Sequence, residues 1–97
     1  MFGLRKQLNP PPIANKKGSQ EILRFWANVT ESQELVIEPF WKDPGNWGIA
    51  LVDIARHLAK AYAAREKDLS ESEVLARIQE LFDAEWSNPT DTPKQLQ

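Results

Sequence analysis

The sequence predicts an α+β domain in which an antiparallel β-hairpin precedes two helices. Three observations lead to this fold class. A β-rich segment that follows a polar turn ends near Pro39, which cannot continue a helix. From Trp47 onward, apolar residues recur at the helical period. Ser70 and Glu73 have the spacing of a capping box, which starts a second helix.

The chain of 97 residues divides into one domain and two tails. Residues 1–18 are predicted to be a disordered, basic tail, because the three prolines at positions 10–12 fix φ and remove amide donors. The folded domain is expected to span residues 19–88. Residues 89–97 are predicted to be a polar C-terminal tail that starts at Pro89.

The hairpin is predicted over about residues 22–40, although residues 21–29 also fit a helix capped by Ser19. In the hairpin, one face is apolar and is expected to pack on the helices. This face would carry Leu23, Phe25, Val29, Leu35 and Ile37. On the other face, one plausible register pairs Arg24 with Glu38 and Trp26 with Val36. Trp26 and Val36 are too apolar for an open face, so we expect something to cover them.

The first helix is predicted over about residues 44–66. Asp43 can cap it, and Pro44 suits the first helical position because its missing amide costs nothing there. Apolar residues extend well beyond one stripe, which indicates a helix covered on two sides. Alanines at positions 55, 59 and 63 allow another helix to approach closely.

The second helix is predicted over about residues 71–86. Besides the capping box, Leu69 and Val74 have the spacing of a hydrophobic staple. The short connection between the two helices predicts that they form an antiparallel or steeply crossed pair.

Composition excludes several classes of function. The chain has no cysteine and one histidine, so thiolate sites and two-imidazole sites are absent, and no metal or cofactor is expected. It has no apolar run long enough to span a membrane and no secretory signal, which favours the cytoplasm. Residues 1–18 carry four basic residues and no acid, whereas the remainder carries eight basic and fourteen acidic residues. An acidic body disfavours nucleic-acid binding, because it repels the phosphate backbone.

Four motifs resemble a family of small alphaproteobacterial proteins known as domain of unknown function number 5076. They are Glu-Ile-Leu-Arg-Phe-Trp at 21–26, Asp-Pro-Gly-Asn-Trp-Gly at 43–48, Asp-Ile-Ala-Arg-His-Leu-Ala at 53–59 and the segment 78–91. The resemblance covers residues 19–91 and leaves the N-terminal tail outside. It implies a bacterial protein and brings no known activity, cofactor or catalytic residue.

Candidate catalytic residues are few. Asp53 and His57 lie one helical turn apart, where a carboxylate can set the tautomer and basicity of an imidazole. Arg56 lies on the adjacent strip. No serine or second ligand stands at a diagnostic spacing, so a pair on the helix surface is the favoured interpretation. The segment 43–48 is also given a structural interpretation. It is expected to be a tight helix entry in which Trp47 packs into the core.

These observations favour a non-enzymatic, homo-oligomeric interaction module over an enzyme. Four tryptophans and an unusually apolar helix are difficult to bury in one small core, which predicts a homodimer. The candidate binding residues are Trp26, Val36, Arg56 and Trp47. The alternative is a small ligand-binding protein or enzyme that uses Asp53, Arg56 and His57 near the aromatic residues.

Overall fold

The computed structural model describes residues 5–90 and 94–96 and has the predicted α+β class, with a hairpin followed by two helices. In chain order the elements are a short 3-10 turn (Pro12–Asn15), β1 (Leu23–Trp26), β2 (Glu34–Ile37), α1 (Gly45–Arg65), α2 (Glu71–Ser87) and β3 (Lys94–Leu96). Residues 21–29 therefore contain a strand rather than a helix. The 3-10 turn and its neighbours, residues 5–20, are exposed.

β1 and β2 pair antiparallel, but their register differs by two residues from the predicted one. Arg24 lies opposite Val36, and Trp26 lies opposite Glu34. A shift of two residues leaves every side chain on its predicted face, because side chains alternate along a strand. Arg24 forms its ion pair with Glu21, at 2.6 Å between Nη2 and Oε1, instead of with Glu38.

The hairpin loop is shaped by Asn28. Its Oδ1 accepts hydrogen bonds from the backbone N–H groups of Thr30 at 2.9 Å and Glu31 at 3.1 Å, which is an Asx turn. This turn follows directly on the end of β1 at Trp26. Val29 was expected on the apolar face of the hairpin, but it lies in the loop and is 101% exposed. A local side-chain bond thus prevails over the apolar alternation that predicted a longer strand.

A third strand, β3, pairs parallel to β2 and makes the strand order β1-β2-β3. In this pairing Glu34 lies opposite Lys94, and Val36 lies opposite Leu96. The sequence analysis did not predict this strand, because three residues after two prolines have no detectable alternation. The C-terminal end of the chain therefore returns to the sheet.

The start of α1 has the expected chemistry, displaced by one residue. Asp43 Oδ1 accepts a hydrogen bond from the backbone N–H of Gly45 at 2.9 Å. Pro44 already has helical φ and ψ of −61° and −19°. Asp43 therefore satisfies an amide that the helix leaves free, while Pro44 supplies a fixed φ.

α2 begins with the predicted capping box. Ser70 Oγ accepts a hydrogen bond from the Glu73 N–H at 3.1 Å, and Glu73 Oε1 accepts one from the Ser70 N–H at 3.3 Å. Glu71 and Glu73 also place negative charge at the positive end of the helix dipole.

α1 and α2 pack against each other through small residues. Ala59 is 2% exposed, and Ala55 and Ala63, one turn before and after it, are half-buried. In the part of the chain that the structure describes, Ala59 is the one buried residue. A helix therefore approaches the alanine strip of α1, as predicted. Apart from this strip, few of the described residues are shielded from water.

The prediction that the hairpin packs on the helices is wrong for a single chain. Among the described residues, no Cα of the strands lies within 8 Å of a Cα of either helix. Phe25, which was expected to face the helices, is 51% exposed. The radius of gyration is 15.7 Å, whereas a compact chain of about 100 residues has about 13 Å. The sheet and the helix pair are therefore two separate layers. Neither described helix is both long enough and apolar enough to cross a bilayer.

We expect the change Ser70→Ala to lower the free energy of unfolding by about 1 kcal/mol, because it leaves the Glu73 amide without its acceptor. Urea denaturation followed by circular dichroism measures this change. Ser87→Ala, at the opposite and exposed end of α2, is the control and should alter the stability by less than about 0.5 kcal/mol. Equal losses in both variants would show that the cap is not what stabilises the start of α2.

Candidate functional site

An apolar groove lies between the first half of α1 and the second half of α2. It has a volume of about 780 Å³. Its lining includes two of the candidate binding residues, Trp47 and Arg56. The other lining residues are Pro44, Gly45, Gly48, Leu51, Val52, Ala55, Leu75, Ile78, Gln79, Phe82, Asp83 and Trp86. The volume and apolar lining are those of a site for a small organic molecule or for side chains of a second protein.

Three polar side chains interrupt the apolar lining of the groove. Arg56 is contributed by α1, and Gln79 and Asp83 are contributed by α2. One cation, one anion and one amide give the groove both hydrogen-bond donors and hydrogen-bond acceptors. They add no net charge, so the groove has no electrostatic preference for a strongly charged ligand.

An aromatic cluster joins Trp47, which lines the groove, to the segment before α1. The rings of Trp41 and Trp47 meet edge to face with centroids 5.1 Å apart, and Phe40 packs on Trp41 in the same way at 5.8 Å. Such pairs stabilise a structure beyond the area that they bury. Because Phe40 and Trp41 lie in the connection between β2 and α1, this cluster fixes the connection to the first turn of α1.

A second aromatic pair lies on α2. Phe82 and Trp86 are one helical turn apart and stack with centroids 5.5 Å apart. Trp86 is 75% exposed. Neither residue was among the candidate site residues identified from the sequence. The signal was present, since the sequence places two aromatic residues one turn apart near the end of this helix.

A further apolar strip of α1 lies beside the alanine strip that contacts α2, and it is named the open face. It consists of Leu51, Ile54, Leu58 and Tyr62, all of which are exposed. Their spacing of three and four residues places them in one row along the helix, and Leu51 also borders the groove. The sequence predicted that α1 is covered on two sides, and in one chain α2 covers a single side.

The sheet has two faces of different character. Its apolar face carries Leu23, Phe25, Leu35 and Ile37, which lie opposite one another in pairs. The other face carries the candidate residues Trp26, which is half-buried, and Val36, which is exposed. Arg5, Arg24 and Glu34 border a shallow depression on this second face.

Asp53 and His57 are adjacent, but the contact does not involve the Asp53 carboxylate. His57 Nδ1 lies 2.9 Å from the backbone oxygen of Asp53, where a protonated Nδ1 donates to that carbonyl. Both residues are exposed. Neither lines the groove, whereas Arg56 does. The structure therefore brings Arg56 and Trp47 to one site and leaves Asp53 and His57 on a different strip of α1.

The end of α2 holds an acidic side chain in a local network. Glu85 accepts hydrogen bonds from the hydroxyl of Thr90 and from the Thr90 backbone N–H, the latter at 2.9 Å. These bonds favour the charged form, and they lower the pKa of Glu85 below its ordinary value. Within residues 5–90 and 94–96, no group of three or more His, Cys, Asp or Glu side chains is arranged to hold a metal ion.

Comparison with known proteins places the chain in a family. The family described as "Domain of unknown function (DUF5076)" matches residues 7–90. The chain belongs to this family. The match starts at residue 7, so most of the N-terminal segment lies inside the family, whereas the resemblance found in the sequence began at residue 19.

A solved structure is also similar over the full length. It is described as that of a "putative pyruvate dehydrogenase from the photosynthetic bacterium Rhodopseudomonas palustrus CGA009". The two chains are 36% identical, with a TM-score of 0.75, and the similarity covers 100% of this chain and 98% of the other. Among curated proteins, none is significantly similar to this chain.

We expect Thr90→Val to raise the pKa of Glu85 toward its ordinary value, because the variant loses the hydroxyl donor and keeps the backbone N–H. The lowered pKa stabilises the fold at pH values above the ordinary glutamate pKa, and this contribution is lost as the pH falls through the folded pKa. A carboxyl NMR titration measures the change. Thr90→Ser retains both donors and should keep the pKa lowered; an unchanged pKa in Thr90→Val would contradict the assignment.

Proposed function

We propose that the protein is a non-enzymatic interaction module that functions as a homodimer. One observation carries this proposal: among the described residues a single side chain, that of Ala59, is buried. A folded domain needs the free energy of apolar burial to offset the conformational entropy of the ordered chain. A second copy would supply the burial that one chain does not.

The surface area supports the same proposal. A compact monomer of 11.1 kDa is expected to expose about 5,700 Å², whereas this chain exposes 9272 Å². The exposed residues 5–20 contribute part of the difference. An obligate dimer buries about 1,000–2,500 Å² on each partner, which is less than the whole difference.

The nature of the exposed surface points to a protein partner. The exposed large apolar residues include Phe25, Ile54, Leu58 and Trp86, on both layers of the molecule. Large apolar side chains exposed in this number are typical of a surface that a protein partner covers. A bacterial cytoplasm is the favoured place of action, because the sequence has no cysteine and the solved relative comes from a bacterium.

Sedimentation equilibrium tests the dimer. We expect a mass of about 22 kDa at micromolar concentration, twice the 11.1 kDa of one chain, because the apolar area above favours tight association. The control is Lys60→Gln, which alters an exposed polar position of α1 and should keep the dimer mass. A monomer mass at all concentrations would overturn the proposal.

A second candidate function comes from the solved relative, whose description names a pyruvate dehydrogenase. Binding of pyruvate requires a cation for the carboxylate, and Arg56 supplies one in the lining of the groove. On this candidate, Trp47 and Trp86 would report binding by a change in fluorescence.

Titration of the protein with pyruvate separates the two candidates. Under the proposed function we expect no saturable change of tryptophan fluorescence up to millimolar pyruvate, because Asp83 offsets the charge of Arg56 in the groove. A saturable change that Arg56→Gln abolishes and Lys60→Gln retains would favour the second candidate.

In the proposed function His57 has no catalytic role, and His57→Gln should change the unfolding free energy by less than about 1 kcal/mol.

A further inference from the structure

We propose that the two copies exchange their layers, so that the sheet of each chain lies on the helices of the other. The apolar sheet face of Leu23, Phe25, Leu35 and Ile37 would cover the open face of α1 in the partner. This inference rests on the proposed dimer and specifies its interface.

The first argument is that two apolar faces of one chain lack a partner. Phe25 on the sheet and Leu58 on α1 are both exposed. Within the described residues, the strands and the helices of one chain stay more than 8 Å apart between Cα atoms. An α+β domain normally joins these two faces in one core, because each layer has one apolar side to bury.

The second argument is that the connection between the layers is built to keep them apart. Pro39 and Pro44 fix φ at both ends of the connection. The N–H of Phe40 donates to the Glu38 carbonyl at 2.7 Å across Pro39, which makes a tight turn. At the other end, Asp43 accepts from the Gly45 N–H at 2.9 Å.

The aromatic cluster stiffens the same connection. Trp41 packs between Phe40 and Trp47, the last of which belongs to the first turn of α1. To fold the sheet back onto its own helices, the chain would have to break this cluster and the turns beside it. A second copy covers the same faces without such a rearrangement, which is the condition that favours exchange of elements between subunits.

The third argument is that the strands of one chain are already paired as a three-stranded sheet. β2 is paired on both sides, with β1 antiparallel and β3 parallel. An isolated two-stranded hairpin is marginal in water, whereas three strands with one apolar face need only that face covered. The exchange supplies this cover twice, once for each chain of a twofold dimer.

Two variants placed on the two layers test the exchange. We expect Phe25→Lys and Leu58→Glu each to reduce the dimer to a species with the 11.1 kDa mass of one chain in sedimentation experiments, because each homodimer would carry two disrupted contacts. Arg24→Gln, on the opposite and exposed face of the same strand, is the matched control. In the exchanged dimer it keeps twice the single-chain mass.

Mixing the two variants gives the decisive result. In a mixed dimer, the lysine introduced on the sheet of one copy faces the glutamate introduced on α1 of the other, and the second contact is unaltered. We therefore expect equimolar Phe25→Lys and Leu58→Glu to form a dimer that neither variant forms alone. Because this readout is a gain of association, it does not depend on either variant remaining folded by itself.

Other results distinguish the exchange from other arrangements. A helix-to-helix dimer would be disrupted by Leu58→Glu and would tolerate Phe25→Lys. A sheet-to-sheet dimer would show the reverse. Either result overturns the exchange but is compatible with the proposed homodimer. Failure of the mixture to associate also overturns it. A monomeric unaltered chain overturns both this inference and the proposed function.

Chemical cross-linking provides a second measurement, because the chain has no cysteine of its own. Ala27→Cys is placed next to β1 in one copy, and Ala61→Cys is placed beside the open face in a copy of different tag length. We expect a short bismaleimide to join the two unlike copies at least about tenfold more efficiently than two like copies, because the exchange holds the unlike positions at high effective concentration. Preferential joining of like copies would contradict the exchange.

Discussion

The close contact between α1 and α2 at Ala59 is the interaction on which the rest of the structure depends. Because alanine extends little beyond the backbone, the two helices approach closely there, and Ala59 alone is almost fully shielded from water in the described chain. The larger side chains on either side of this contact remain exposed. Leu51, Leu58 and Phe82 then form surfaces instead of a core. The groove, which includes Ala55, and the open face, which includes Leu58, both border this narrow contact.

The elements were largely predictable from the sequence because their signals are local. The capping box at Ser70, the Asp43-Pro44 entry to α1 and the alternation of β2 act within a few residues, and each is present in the structure. The register of the hairpin was not predictable in this way. It depends on where β1 ends, and with the Asn28 turn the strand ends at Trp26 rather than at Val29.

The arrangement of the layers was less accessible to sequence analysis. Binary patterning shows which face of an element is apolar, but it does not show which surface covers that face. The pattern correctly placed Phe25 on an apolar face of the sheet. It also predicted that a second surface, besides α2, covers α1. It could not show that the sheet and the helices stay apart within one chain. For the same reason, Trp47 and Arg56 were identified one by one, whereas the Phe82 and Trp86 side of the groove was not.

The parallel pairing of β3 with β2 determines how the sheet can associate. One edge of β2 is occupied by β1 and the other by β3, so an incoming strand cannot reach the middle of the sheet. The exposed Arg24 on β1 places a charge at an outer edge, which discourages the addition of strands from solution. A small protein with so much apolar surface risks growing into fibres. Because both edges of its central strand are occupied, only the outer edges of β1 and β3 are left for a further strand, whereas the proposed twofold contact through the faces would close after two copies.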